Sequence, residues 1–405
     1  MQIHPRLYAK LNAGIQNRFP VILYYNRPAA EVRQCLTRRY GPIKYELPFI
    51  HAMAMELSGE TIPDISREPM VQRITDDATV SKVDHPSDSS PTEDRVRTMV
   101  RSTPSLLNST PPLVDSSFDP FRGFYTIGNR RPYPVAVSVI DTGVAPHRDL
   151  VSPTNRIRAF YDLVGHRTEP YDDDGHGTHI SGILCGLGGP AVSVSNPGQH
   201  HLRKTGPALV AVKALDHQGN GNASDILAAM QWTLNNSRYY NIRVVNLSLG
   251  VTAEEAYATD PLVRGVEALT RYGLVVITAA GNSGPKVSTI SSPGICRSAV
   301  TVGAADGDRV ADFSSRGPTP QGLIKPDLVA PGVNILSLDA KTLTGYVSQS
   351  GTSMAAPFVS RTSAAICARF PGWSPSEIKR LLLHSAVLLP DEPPTAQGCG
   401  ILFDL

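Results

Sequence analysis

Strong net charge is missing from this 405-residue sequence, because its 38 lysines and arginines nearly balance its 36 aspartates and glutamates. So balanced a chain has no general attraction for nucleic acid or a membrane surface, and we expect neither as a partner. Nor does it contain a run of ~18 or more apolar residues, as a membrane-spanning helix requires. Residues 1–20 lack the apolar stretch of a signal peptide, so we expect a cytoplasmic location, with non-classical export as the alternative.

Cysteine is scarce, and the five residues form no Cys-x-x-Cys pair. The missing pairs argue against a zinc ribbon. An odd number of widely spaced cysteines instead favours small buried side chains in a reducing compartment. We expect this of Cys35, Cys185, Cys296, Cys367 and Cys399.

Composition divides the chain into three parts. Residues 1–85 have the pattern of a small α+β unit, in which a strand-like "RFPVILYYN" precedes a stretch with Val32, Leu36 and Tyr40 near helical spacing. Residues 86–122 belong to a segment rich in Ser, Pro, Thr and Asp, which indicates a linker that a protease can reach. The third part is residues 123–405.

Apolar runs in this third part alternate with helical stretches. The runs "PVAVSVI", "ALVAVKAL", "RVVNLSL", "GLVVITAAG" and "SAVTVGA" are apolar throughout instead of alternating. Such strands are typical of a parallel sheet that helices cover on both faces. The sequence therefore predicts a doubly wound α/β domain, whose ligands gather at the carboxyl ends of the strands.

Four polar residues fall where that edge of the sheet is expected. Asp141 ends the first buried strand, His176 and Ser353 lie at the start of two helices, and Asn282 follows a further strand in "TAAGNSG". A serine hydroxyl becomes a nucleophile when a base removes its proton and a third group orients the base. A helix N-terminus and an asparagine amide both stabilise a developing oxyanion.

Two other interpretations of these residues stay open at this point. His176 and His179 with the upstream aspartates could bind a divalent metal, which would make the chain a metallohydrolase. Ser353 alone could be no more than a helix N-cap. Both leave the co-occurrence of Asp141, His176, Asn282 and Ser353 unexplained.

Five motifs together resemble the subtilisin family of serine peptidases, the subtilases, in the family's order of Asp, His and Ser. They are "VIDTGV", "GHGTHISG", "NLSLG", "AAGNSG" and "SGTSMAAP", and "TEPYDDDGHGTH" and "FSSRGPT" are most similar to the AprX-like intracellular branch. The resemblance covers residues 130–403. It implies a three-layer, mostly parallel sheet and a monomeric serine endopeptidase of broad specificity, acting on proteins or peptides without an organic cofactor.

Carried over residue by residue, the resemblance implies that Asp141 orients the imidazole and that His176 acts as base and then acid. Ser353 would attack the peptide carbonyl, and Asn282 would hold the oxyanion with the Ser353 backbone N–H. Substrate would bind as an added strand. Its binding residues would be two edge segments and one pocket wall, respectively Ser248, Leu249 and Gly250; Gly219, Asn220 and Gly221; and Ala279, Ala280 and Gly281.

The N-terminal unit resembles the family's ferredoxin-like prodomain in its strand and helix order. That resemblance implies a zymogen, in which residues 1–85 assist folding and cap the active site until self-cleavage in the segment from Val83 to Pro120. An accessory domain that is never cleaved is the alternative. For the whole chain, the rival hypothesis is an inactive homologue that binds peptides or acts as a chaperone.

No metal is predicted. Asp149 matches a family position that often ligates calcium, but the usual partner loop is replaced by "CGLGGPAVSVSNPGQHHLRKTG", so structural calcium is left open. The run Asp172–Asp174 is interpreted as a solvated acidic turn, with a calcium contact or steering of basic substrate residues as alternatives. His179 is expected to be structural, packed or hydrogen-bonded beside the site.

Overall fold

The computed structural model describes residues 3–14, 18–83, 134–186, 206–253 and 257–403. The predicted linker 86–122 lies outside these residues, as does most of the loop that replaces the family's calcium loop. No helix in the described ranges is both long and apolar enough to cross a membrane.

The helices of the described residues are numbered in chain order. They are α1 Pro5–Ala13, α2 Ala29–Tyr40, α3 Ile62–Ile65, α4 Arg148–Val151, α5 His176–Cys185, α6 Ala223–Tyr240, α7 Pro261–Arg271, α8 Thr352–Arg369, α9 Pro375–His384 and α10 Pro394–Gln397, with 3₁₀ turns at Pro48–Ile50 and Tyr257–Thr259.

The strands are numbered in the same way. They are β1 Arg18–Tyr25, β2 Ile43–Leu47, β3 Ala52–Ser58, β4 Val71–Asp76, β5 Thr79–Lys82, β6 Ala136–Asp141, β7 Ile157–Asp162, β8 Ala208–Lys213, β9 Asn220–Asn222, β10 Ile242–Leu247, β11 Leu249–Gly250, β12 Val275–Ala279, β13 Val300–Asp306, β14 Arg309–Val310, β15 Leu328–Pro331, β16 Ile335–Leu338 and β17 Tyr346–Gln349.

The N-terminal unit is built on an antiparallel sheet in the order β2-β3-β1-β4. Successive side chains of a strand point to opposite faces, and β1 shows this directly. Val21 and Leu23 pack into the unit's own core with residues of α1, α2 and α3. Ile22 and Tyr24 instead join a core shared with the larger domain. The sheet is therefore buried on both faces.

The larger domain is organised around a sheet in the order β14-β13-β12-β10-β6-β8-β7, with β15 also paired to β13. Its described pairs are parallel except for β13 with β14. Every residue of β6, β8 and β12 is buried. Helices α6 and α7 pack into the core on one face, and α5, α8 and α9 into the core on the other. The predicted α/β fold with a mostly parallel, doubly covered sheet is confirmed.

The N-terminal unit docks on the face that carries α6 and α7. Lys44 Nζ lies 2.7 Å from Asp225 Oδ1 at the first turn of α6. Beside it, the Ser224 N–H donates to Asp77 Oδ1 at 2.8 Å, and Asp77 is only 5% exposed. Polar contacts thus fix a docking surface that is otherwise apolar.

The prediction of five buried cysteines is wrong for two of them. All five thiols are free, and Cys185, Cys296 and Cys367 are buried, but Cys35 is half-buried and Cys399 is exposed. Cys399 lies in a turn between Gly398 and Gly400, and its backbone N–H bonds to the chain at Asp327 O. The turn is held through its backbone, which leaves the side chain at the surface.

Candidate active site

Three predicted residues lie at the ends of elements that meet at one edge of the main sheet. Asp141 is the last residue of β6, His176 the first of α5, and Ser353 the second of α8. The two helices pack against each other on the same face of the sheet. All three side chains are buried, with at most 1% exposure. Parallel strands bring such groups together because their carboxyl ends share an edge.

Asp141 and His176 form a direct pair. His176 Nδ1 lies 2.7 Å from Asp141 Oδ1, and the backbone N–H of Thr142 donates to the same oxygen at 2.7 Å. A carboxylate can only accept, so Nδ1 carries the proton and Nε2 is the basic nitrogen. The pair therefore fixes both the tautomer and the orientation of the ring.

Ser353 and Asn282 meet at one carbonyl oxygen, that of Val83. Ser353 Oγ lies 2.5 Å from this oxygen and 3.1 Å from the carbonyl oxygen of Ser248, and Asn282 Nδ2 donates to the Val83 oxygen at 3.2 Å. A Cβ at Gly351 would stand 3.0 Å from the Val83 oxygen and 3.2 Å from Asn282 Nδ2. Glycine there permits the close approach of the carbonyl to the hydroxyl and the amide.

Thr352 sets the direction of the Asn282 amide. Its backbone N–H and its hydroxyl both donate to Asn282 Oδ1, each at 3.0 Å, and its Oγ1 accepts the N–H of Gly281 at 3.2 Å. With Oδ1 held by two donors, Nδ2 must face Val83. Sequence reasoning missed Thr352, since a residue next to the serine carries no chemistry of its own.

A segment of the chain itself, strand β5, lies between the two predicted substrate-binding edge segments, and we call the space between these edges the cleft. Strand β5 is the middle strand of a small antiparallel sheet, between β11 on one side and β9 on the other. Its register pairs Lys82 with Leu249 and Ser81 with both Gly250 and Asn220. The structure thus brings both predicted edge segments together on one extended segment, with contacts from Ser248, Leu249, Gly250, Gly219, Asn220 and Gly221.

Two backbone hydrogen bonds continue this pairing to the site. The Lys82 N–H donates to Gly219 O at 2.8 Å, and the Val83 N–H donates to Ser248 O at 3.4 Å. Val80 is fully buried in the core shared with Leu249. Lys82, two residues further on, pairs with Asp174, and its side chain is 24% exposed.

The third predicted set is less directly placed. Ala279 and Ala280 are fully buried at the end of β12. Gly281 has a positive φ of 111° and bonds to Thr352, which in turn holds Asn282. A pocket wall at these three positions stays a prediction.

The sequence analysis interprets Asp172–Asp174 as a solvated acidic turn, but in the structure all three carboxylates have partners within the chain. Asp172 accepts from the hydroxyls of Thr142 and Thr178 and from three backbone N–H groups of the turn and of α5. Asp173 pairs with the buried Lys213 at 2.7 Å. Asp174 contacts Lys82. The turn folds over the ends of β6 and β8, so each carboxylate finds a partner.

His179 is structural, as predicted. Its Nε2 lies 3.0 Å from Ile335 O and 3.1 Å from Val347 O, so it ties α5 to β16 and β17. Asp149 accepts the hydroxyl of Tyr346 at 2.8 Å. Within the described ranges, no three His, Cys, Asp or Glu side chains are grouped as a metal site would need.

Comparison with known proteins places the larger domain in a family. The model of the subtilase family matches residues 134–400. Serine protease AprX of Bacillus subtilis is 40% identical over 295 residues, which are 66% of this chain and 64% of that protein. An alkaline protease of Alkalihalobacillus alcalophilus is 32% identical over 348 residues, 85% of this chain and 76% of that protein.

Subtilisin Savinase of Lederbergia lenta is 36% identical over 258 residues, which are 63% of this chain and 84% of that protein. The chain thus spans slightly less than two thirds of the AprX relative and larger shares of the other two. The family match covers the larger domain from β6 to α10 and not the N-terminal unit. This chain belongs to the subtilase family.

Proposed function

We propose that this chain is a serine endopeptidase that hydrolyses peptide bonds through Asp141, His176 and Ser353 and an acyl-enzyme intermediate. The observation that carries the proposal is the Val83 carbonyl, which lies against the serine hydroxyl and the Asn282 amide. An electrophile, a nucleophile and an oxyanion donor are thus within contact of one another. The serine protease names of the relatives agree with this function.

The proposed reaction uses these groups in turn. Ser353 Oγ attacks the carbonyl carbon while its proton passes to His176 Nε2, and the imidazolium is stabilised by Asp141. The oxyanion is held by Asn282 and by the Ser353 backbone N–H in the first turn of α8. The C–N bond breaks as Nε2 protonates the leaving amine. Water, activated by the same imidazole, then releases the acid from the ester.

We infer further that the N-terminal unit is a ferredoxin-like prodomain and that the chain cleaves itself after Val83. From β1 to β4, after the additional helix α1, the unit has the element order βαββαβ and a four-stranded antiparallel sheet, which supports the first inference. The second rests on Val83 being the residue whose carbonyl the site holds. Cleavage there lies at the first residue of the Val83–Pro120 segment expected from the sequence.

The test is active-site labelling combined with N-terminal sequencing. Wild-type protein should react with a fluorophosphonate, and the retained fragment should begin with Asp-His-Pro-Ser-Asp, residues 84–88. Ser353→Ala should take up no label and stay full length. Ser363→Ala is the matched control, because this buried serine of the same helix bonds only to Val359 O among the described residues, and it should label and process normally.

Failure of the wild type to label after removal of the N-terminal unit would refute the peptidase function and favour a peptide-binding homologue. Labelling without self-cleavage would refute the zymogen proposal and leave an accessory domain. A retained fragment with a different first residue would refute only the assignment of Val83.

A further inference from the structure

Lys82, the residue before Val83, has its ammonium group in a defined acidic contact. Its Nζ lies 2.8 Å from both carboxylate oxygens of Asp174. The exposed fractions are 24% for the lysine side chain and 9% for the aspartate side chain. A pair this sheltered is screened less by salt and solvent than a surface pair.

The stem of Lys82 is matched to the cleft as well. Gly219 has a positive φ of 76°, and a Cβ there would come within 2.5 to 2.7 Å of three stem carbons of Lys82. The same glycine accepts the Lys82 backbone N–H at 2.8 Å. Because Gly219 has no side chain, the long unbranched side chain of Lys82 can pack against its backbone and reach Asp174.

The other two carboxylates of the turn are engaged elsewhere. Asp172 is bonded to hydroxyls and backbone N–H groups, and Asp173 pairs with the fully buried Lys213. Of the three, Asp174 is the one with a contact to the segment in the cleft. Its Oδ1 also accepts the backbone N–H of His176 at 3.1 Å, which anchors it beside the site.

From this arrangement we propose that Asp174 makes the enzyme prefer substrates with lysine or arginine at the second residue before the cleaved bond, the place that Lys82 takes in this chain. The inference rests on the proposed peptidase function, and it adds a substrate class to it: peptides with a basic residue, then an aliphatic one, before the cut. Lys82 and Val83 are the chain's own example of that sequence. Charge-assisted hydrogen bonds of this kind are among the stronger contacts available to a substrate.

The test uses enzyme that is expressed as the whole chain and has processed itself, together with fluorogenic peptides that copy residues 79–83, Thr-Val-Ser-Xaa-Val. Xaa is lysine, norleucine or glutamate. Norleucine keeps the stem that packs on Gly219 and removes only the charged group. We expect kcat/KM for lysine to exceed that for norleucine about tenfold, equivalent to about 1.4 kcal/mol, and glutamate to be the poorest substrate.

Asp174→Asn is the informative variant, because an amide oxygen can still accept the His176 N–H whereas the negative charge is gone. The lysine-to-norleucine ratio should fall to near one. Asp173→Asn makes the same charge change one residue away, where the carboxylate faces Lys213, and should keep the ratio. Comparing ratios cancels any effect common to all substrates, such as a shift of His176.

The outcomes distinguish the role of Asp174 from the proposed peptidase function. Hydrolysis of every peptide at one rate by wild type, or a ratio that survives Asp174→Asn, would overturn the role of Asp174. An equal loss for all three peptides in Asp174→Asn would show that the residue only supports His176. No hydrolysis of any peptide by the labelled wild-type enzyme would contradict the proposed function itself.

Discussion

Thr352 offers a graded test of the oxyanion role proposed for Asn282. Its hydroxyl and backbone N–H each donate to Asn282 Oδ1 at 3.0 Å. Thr352→Val removes the hydroxyl with almost no change in shape, while the backbone bond remains. One neutral hydrogen bond contributes about 0.5–1.5 kcal/mol. If the less firmly held amide stabilises the transition state less by this free energy, kcat should fall about two- to twelvefold.

The effect should be smaller than that of removing the donor. Loss of a single oxyanion donor lowers kcat by about 10²–10³, a value measured for the corresponding asparagine of subtilisin. Asn282→Ala should therefore be much slower than Thr352→Val. Because the role proposed for the Asn282 amide is to stabilise the developing oxyanion, both variants should lower kcat and leave KM nearly unchanged.

The assay is steady-state hydrolysis of the lysine peptide described above, with Thr352→Ser as the matched control. Serine retains the hydroxyl and should keep most of the activity. Thr352→Val also leaves the Gly281 N–H without its acceptor, so thermal unfolding must show that the variant is folded at the assay temperature. Wild-type kcat in folded Thr352→Val, or an equal loss in Thr352→Ser, would refute the orienting role.

Two further predictions concern docking and stability, each measured in Ser353→Ala protein, which should not degrade itself. Burial raises the pKa of Asp77 from its ordinary 3.8 to about 6, against the opposing Ser224 hydrogen bonds, so the docked state favours the protonated acid. Docking of the N-terminal unit should weaken as pH rises from about 4 to about 6. Asp77→Asn should make the strength of docking nearly independent of pH over this range. Docking that does not change with pH in protein with Asp77 intact would contradict the prediction. Asp327→Asn should destabilise the fold by about 3–5 kcal/mol, because the 2%-exposed Lys325 loses its carboxylate partner. Asp306→Asn, by contrast, removes a half-buried carboxylate paired with the mostly exposed Arg309, and should change stability by under about 0.5 kcal/mol in denaturant titration.

Much of the site follows from the sequence alone, for identifiable reasons. The apolar runs predict the parallel strands. Asp141 is the last residue of one strand, and Asn282 closely follows another. Helix starts placed His176 and Ser353 beside them. These signals are local, since each residue lies within a motif whose strand or helix pattern fixes its position.

The parts that were missed depend on contacts between distant segments. The sequence predicts a solvated turn at Asp174 because the partner of this residue, Lys82, lies in another part of the chain and in a strand of only four residues. Strand β5 has little pattern of its own, and its pairing partners are short edges from the larger domain. Thr352 bonds to Asn282, which lies 70 positions away. No periodicity in the sequence reports such pairs.

The central place of β5 in its small sheet has a consequence for how latency would be lost. While the backbone is continuous, the segment is tethered beside the cleft and its effective concentration there is high. After a cut at Val83, the same contacts join two separate molecules. The fraction of enzyme with the segment bound in the cleft would then depend on concentration. The processed enzyme should therefore be inhibited when concentrated and become active on dilution, without any change in the catalytic groups.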